Sequence, residues 1–462
     1  MWGFSLNTIC IYLRFDRDKR TTMTRYILLM ASALLLNVNS SFAQKNLKAQ
    51  EESSNLISGP MLSYIDNYHA QMWMLVSKET KEIIIKLQNF DENRSQELVF
   101  DITDPKSYNN SAWYDFHISD YNNGDEIPLV LTLEELIPDT EYHVEVYLDS
   151  VLVEEEMDIY TPRNYLADTY FLLGHSLNIS DKNDDGDKIL NTMSGVESDF
   201  MVWMGNNIYL NQKEGKSFKS ILEKYKTIRK REPINSFLKL TPQIATWNKM
   251  DFGIETSDSR YALKDSSLMA FNMFWPNAPK KVYNYTFREY GVYKRFDYED
   301  IEIFMLDNCM FKTSLIDPNP EILGADQMTR FINEITASNA AFKFIVTGNS
   351  ILSDGVNTEP FNAYTKEYNE LMQRLHLSRI NGVIFVTGDT DQTDLISSNR
   401  ENAYPLYEMQ FPGLSTDGNF GGNFARIRVE GDYRKRICTL EVYNELGEKV
   451  FEKKIHQSEL SY

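Results

Sequence analysis

Five short apolar runs, each ending in small polar residues, constrain this chain more than any other feature. They are Asp199–Asn207, Gln243–Asp251, Ile301–Cys309, Phe342–Ser350 and Gly382–Asp391. Near-continuous apolar stretches bounded by turn residues suit strands that are covered on both faces. In open α/β sheets ligands sit beyond the carboxyl ends of such strands. The pattern therefore predicts that Asn206, Asn207, Lys249, Met250, Asp307, Asn349, Asp389 and Asp391 gather at one rim.

Helical patterns separate these runs. Ser217–Arg231 carries Phe218, Ile221, Leu222, Tyr225 and Ile228 on one face, with Pro233 to stop it. Gly324–Thr336 and Thr365–Leu375 are two further helices, each feeding an apolar strand. This alternation over residues 163–455 predicts a layered α/β domain that includes the C-terminal strands, with a hairpin turn at Asn444–Gly447. Residues 55–162 read differently. Strict alternation in Glu82–Leu87 and Glu141–Tyr147 predicts an all-β, fibronectin-III-like sandwich. The segment Leu131–Tyr142 has the shape of a sandwich corner, where a Tyr hydroxyl bonds back across the bend.

Arg25, the apolar run Tyr26–Leu36 and Ser41-Phe42-Ala43 form a secretory signal peptide within residues 1–43, with Met23 as the expected start. The run is far shorter than the roughly 20 residues a bilayer crossing needs. Export to the periplasm, the outer membrane surface or the exterior follows, with no transmembrane segment in the mature chain. A net charge of −20 excludes nucleic acid as a partner. The mature chain carries Cys309 and Cys438; spacing alone leaves open whether they pair.

The motifs in order are Ser58-Gly59-Pro60-Met61, Arg229-x-x-x-Pro233, Ala245-Thr246-Trp247, Asp251-Phe252-Gly253, Phe274-Trp275-Pro276-Asn277, Leu306-Asp307-Asn308 and Tyr404-Pro405-Leu406-Tyr407. In this order and spacing the chain resembles the PhoD-like (alkaline phosphatase D) metallophosphatases over nearly its whole mature length. The resemblance implies a metallophosphatase-like α/β sandwich and a two-metal phosphoesterase centre at the rim.

The departures fall at that rim. The family's Gly-Asp-Asn-x-Tyr is Gly205-Asn206-Asn207-Ile208-Tyr209 here, and Trp-Asp-Asp-His-Asp is Trp247-Asn248-Lys249-Met250-Asp251. Gly-Asp-Arg-His is Gly388-Asp389-Thr390-Asp391, and Gly-Ser-Cys is Gly174-His175-Ser176. A pair of family arginines becomes Cys309 and Lys312. Two-metal catalysis needs carboxylates and imidazoles holding cations about 3.5–4 Å apart. Asn206 offers only a carbonyl dipole, Met250 is a poor ligand for hard cations, and the Lys249 ammonium repels them. No resident metal is expected at the family site.

A pseudophosphatase is the leading expectation, binding a phosphorylated small molecule or an envelope partner, with Lys249 and Lys312 as anion-binding residues. The alternative is an active phosphomonoesterase or phosphodiesterase with an altered divalent site. Its catalytic residues would come from Asn207, Tyr209, Asp251 and Asp389, its metal donors from Asn206, Asn207, Asp251, Asp389 and Asp391. A separate pattern, Asp181-x-Asn183-x-Asp185-Gly186-Asp187, copies the start of an EF-hand calcium loop, although Thr192 stands where the bidentate Glu belongs. An Asx-rich surface turn that needs no metal is the leading reading there, and Ca2+ as a cofactor is the alternative.

Overall fold

The computed structural model describes residues 55–90, 93–104, 125–178, 185–277, 291–353, 359–388, 390, 392–415 and 422–462. The segment expected to be a signal peptide, and Asp181, Asn183, Asp389 and Asp391, lie outside the described residues.

The first seven strands form two antiparallel sheets. One holds β1 (Leu56–Ile65), β2 (Ala70–Ser77) and β5 (Glu126–Leu133) in the order β1-β2-β5. The other runs β4-β3-β6-β7, from β3 (Glu82–Asn89), β4 (Arg94–Asp101), β6 (Glu141–Leu148) and β7 (Val151–Tyr160). Alternation decides the faces: in β6, Tyr142, Val144, Val146 and Leu148 are buried while Glu141, His143, Glu145 and Tyr147 look outward. The expected corner is present, with the Ile137 N–H donating to the Tyr142 hydroxyl at 2.9 Å.

Two six-stranded sheets follow. The first has the order β10-β9-β8-β17-β18-β19. Within it β8 (Thr169–Gly174), β9 (Phe200–Met204) and β10 (Gln243–Thr246) are parallel, and β17 (Asn423–Glu430), β18 (Ile437–Asn444) and β19 (Lys449–His456) extend it antiparallel. The second has the order β11-β12-β13-β14-β16-β15. Its centre, β12 (Ile301–Met305), β13 (Phe342–Thr347), β14 (Val383–Thr387) and β16 (Leu406–Gln410), is parallel. The edges β11 (Lys294–Tyr298) and β15 (Asp394–Ser398) are antiparallel. The sheets meet face to face through aromatic contacts: Phe171 lies 5.3 Å from Phe344, and Phe200 5.1 Å from Phe296.

The helices are α1 (Asp185–Ser194), α2 (Phe218–Arg229), α3 (Ile234–Phe237), α4 (Lys249–Phe252), α5 (Lys264–Phe274), α6 (Ala325–Ala337) and α7 (Thr365–Leu377). α2 begins at a capping box, the Ser217 hydroxyl accepting from the Ser220 N–H. The run Gln243–Asp251, read from sequence as one strand with its polar end, divides. The strand stops at Thr246, and the Asp251 carboxylate accepts from the Asn248 N–H at the start of the single turn of α4. Strand β8 and helix α5 were not among the elements expected from sequence. Cys309 and Cys438 are separate buried thiols. Among the described residues no helix is long and apolar enough to cross a membrane.

Candidate functional site

The parallel strands β8, β9, β10, β12 and β13 send their carboxyl ends to one rim, and each contributes a small polar residue there. β8 ends in Gly174-His175-Ser176, β9 in Gly205-Asn206-Asn207, and β10 in Trp247-Asn248. β12 ends in Asp307-Asn308 and β13 in Gly348-Asn349. Close packing at this rim requires two of the glycines. A Cβ on Gly348 would lie 2.3 Å from the Asn248 amide, and one on Gly205 would lie 2.7 Å from the Asn248 backbone nitrogen.

Asp251 and Asp307 are fully buried, and both oxygens of each accept hydrogen bonds. Asp251 Oδ1 accepts from the Asn207 N–H (2.8 Å) and the Ile208 N–H (3.1 Å), and Oδ2 from the Asn248 N–H (2.9 Å). Burial pushes its carboxyl up to about 7, although these N–H groups pull the other way. Asp307 Oδ1 accepts from Trp247 Nε1 (2.8 Å), the Cys309 N–H (2.8 Å) and the Met310 N–H (2.9 Å). Asp307 Oδ2 accepts from the Val292 N–H at 2.8 Å, and burial likewise raises this carboxyl.

Around them lies a network of side-chain amides. Asn308 Nδ2 donates to Asn248 Oδ1 at 3.2 Å and to Asn349 Oδ1, and Asn349 Nδ2 donates to the Glu359 carbonyl. Asn206 Oδ1 accepts from the Met250 N–H at 3.1 Å. Asn207 Nδ2 donates to the Thr246 carbonyl at 2.8 Å, while its Oδ1 is buried with no hydrogen-bond partner. Tyr209 is half-buried on the same loop. Lys249 lies 3.9 Å from Glu255, and Lys312 is ion-paired with Glu359.

The structure thus brings together Asn206, Asn207, Met250 and Asp251 through direct bonds, and Asp307 with Trp247 beside them. Asn248, Asn308 and His175 were not singled out as site residues from sequence. The signal was present in part: Thr169–Gly174 is a sixth apolar run ending in small polar residues. Of the candidate calcium loop, Asp185 begins α1, and Asp187 Oδ2 bonds Arg231 at 3.3 Å with its Oδ1 buried and unpartnered.

This layered architecture with its rim has a solved counterpart. The structure of PhoD superposes with a TM-score of 0.66 at 12% identity, covering 87% of this chain and 94% of that one. The chain has the PhoD fold. GAP50, the anchor in the inner membrane complex of Plasmodium, overlaps more loosely, with a TM-score of 0.40 at 12% identity over 63% of this chain and 89% of that one. A predicted phosphoesterase from Streptococcus pneumoniae gives 0.28 at 7% identity over 63% and 99%. Neither the known family models nor the curated proteins include a match to this sequence.

The donor set can be weighed against the metal pair that the PhoD fold implies. Among the described residues no three His, Cys, Asp or Glu side chains converge. The oxygens of Asp251 and Asp307 already take backbone or indole N–H groups, and His175 Nε2 is bonded to the Phe411 carbonyl at 2.7 Å. Two hard cations need several charged oxygen or imidazole ligands each. The described donors do not fit them.

Proposed function

We propose that this chain is an exported pseudophosphatase, a PhoD-fold protein that acts by binding a phosphorylated small molecule or an envelope partner. The observation that carries this reading is the state of Asp251 and Asp307, whose carboxylates organise strand ends through N–H groups. Asn206 supports it from the other side, since its side-chain oxygen is held by the Met250 backbone. Lys249 and Lys312 would supply positive charge for a phosphate, each exchanging a carboxylate, Glu255 or Glu359, for the ligand. The segment Arg25–Ala43 supports export, with a mature start near Gln44.

Metal content of the purified mature chain by elemental mass spectrometry, with hydrolysis of generic phosphomonoesters and phosphodiesters, tests the reading. The expected result is no stoichiometric transition metal and no turnover; tightly bound metal with turnover would overturn it. Phosphate binding by calorimetry should weaken in Lys249→Ala, and unchanged binding would remove the anion role.

One observation favours the alternative of an altered divalent site. The Asn207 Oδ1 atom is buried and unpartnered, as an oxygen awaiting a cation would be. That site would draw on Asn207, Asp251, Asp389 and Asp391, and the same metal analysis decides it. Calcium at residues 181–187 is a separate proposal. It predicts a melting shift with millimolar Ca2+ that Asp185→Ala abolishes.

A further inference from the structure

The C-terminal sheet ends in a strand with one side open. β19 closes the order β10-β9-β8-β17-β18-β19, and among the described residues β18 is its one strand partner. The His456 N–H turns away from β18 and donates to Glu459 Oε1 at 2.8 Å. Backbone groups alternate in direction along an antiparallel strand, so the N–H and carbonyl of Glu452 and Lys454 also face away from β18. An edge of this kind is a template for a further strand.

The side chains restrict what that strand can be. On one face Glu452 lies opposite Glu441, and the two carboxylates share the Lys449 ammonium. Two positions on, Lys454 lies opposite Thr439, which itself lies opposite Arg428, and among the described residues Lys454 forms no ion pair. Glu452 thus lacks a cation of its own, and Lys454 lacks a carboxylate. On the other face Phe451 is half-buried, Ile455 is buried, and Lys453 lies 5.9 Å from the Tyr407 ring. Lysines on an edge ordinarily deter pairing, and most registers of β19 against itself keep that deterrent. With Glu452 on a twofold axis, two glutamates oppose each other and Phe451 meets Lys453. With Lys454 on the axis, two lysines oppose each other and Lys453 meets Ile455. Only with Lys453 on the axis does Glu452 of each copy lie opposite Lys454 of the other, and Phe451 opposite Ile455. The like pair left at the axis is two lysines, each drawn toward its own Tyr407 ring.

We propose that the chain forms a homodimer by antiparallel pairing of β19 with β19 of a second copy, with Lys453 at the twofold axis. The two six-stranded sheets then continue into one another, and Glu452 and Lys454 of opposite copies share backbone hydrogen bonds as well as charge. Pairing of a single strand buries less than the roughly 1,200 Å2 of a standard interface, so dissociation in the micromolar range is expected. The rim takes no part in this contact, which is independent of what the rim binds.

Sedimentation equilibrium of the mature chain over the micromolar range tests this, at physiological ionic strength to screen the self-repulsion of an acidic protein. A reversible equilibrium between monomer and dimer is expected. Glu452→Lys and Lys454→Glu each set two like-charged pairs across the contact, and each alone should weaken dimerisation by about 10-fold or more. Both side chains are on the surface, so melting temperatures should stay near that of the parent. An equimolar mixture of the two variants should associate about as tightly as the parent, because in the mixed dimer every charge again meets its opposite. This rescue depends on the register and would not follow from dimerisation through another face. A parent that stays monomeric throughout, a dimer indifferent to either substitution, or a mixture that fails to associate would overturn the proposal.

Discussion

Asp251 shows how a buried rim carboxylate can serve the backbone around it. Its two oxygens hold three backbone N–H groups from two strand ends, so the carboxylate acts as a clamp. Its pKa of about 7 in the fold lies above the ordinary 3.8. Between those values the folded chain binds more protons than the unfolded chain, so this group's stability contribution is full below about pH 4 and declines as the pH rises to 7. Asp251→Asn removes that dependence and turns an NH2 toward N–H donors. Its stability deficit relative to the parent is therefore expected to be larger near pH 5 than near pH 8, as read by urea unfolding. Sequence reading found Asn207, Tyr209, Asp251 and Asp307 as rim residues by type. It could not find their tasks, because the partners of Asp307 include Val292, 15 residues upstream, and those of Asp251 include Asn207, 44 residues upstream.

At the scale of elements, the ends of β10, β12 and β13 are joined by amides. Asn308 is the centre of that network, with one NH2 serving both Asn248 and Asn349 and its Oδ1 accepting the Cys309 thiol. Asn308→Ala strands two buried carbonyl oxygens and should cost about 2–5 kcal/mol in denaturant unfolding. Asn308→Asp is isosteric yet places a charge against the same oxygens, so it should destabilise further than the alanine. An equal or milder effect of the aspartate would show that Asn308 does not donate there. The strands themselves were legible in sequence because β12, β13 and β14 are buried at every position, which produces near-continuous apolar runs broken within by Glu302 and Lys343. The turn of α4 was not, since Asp251 caps it through the Asn248 N–H, a bond that leaves no periodic trace.

Over the whole molecule, one buried arginine joins the three-stranded sheet to the α/β layers. The Arg229 guanidinium lies 4.0 Å from the Trp275 ring and 4.9 Å from the Trp73 ring. It also donates to the Phe274 carbonyl at 2.7 Å and to the Met61 sulfur at 2.8 Å. Nearby, Ser58 Oγ donates to the Arg229 carbonyl and to Asn235. Burial lowers its pKa to about 9, yet the group remains charged at neutral pH, stacked between indoles. Arg229→Ala removes the stacking and leaves a cavity, with an expected loss of about 3–5 kcal/mol. Circular dichroism and tryptophan fluorescence should report one coincident, lowered transition, because the residue is shared by both sides of the junction. Two separated transitions in the parent would contradict this coupling.

Hydrophobic periodicity is a local property, so the sequence by itself determined the alternating strands of the sandwich, the buried parallel strands, the amphipathic helices and the position of the rim. It also carried the residue types at that rim, one by one. Which hydrogen-bond partner each rim atom serves was decided only by the tertiary structure. The Phe411 carbonyl that orients His175 is 236 residues away, and Thr246 reaches the Leu306 carbonyl across 60. Polar pairing at these separations follows from how the sheets stack, and a one-dimensional pattern holds no record of it.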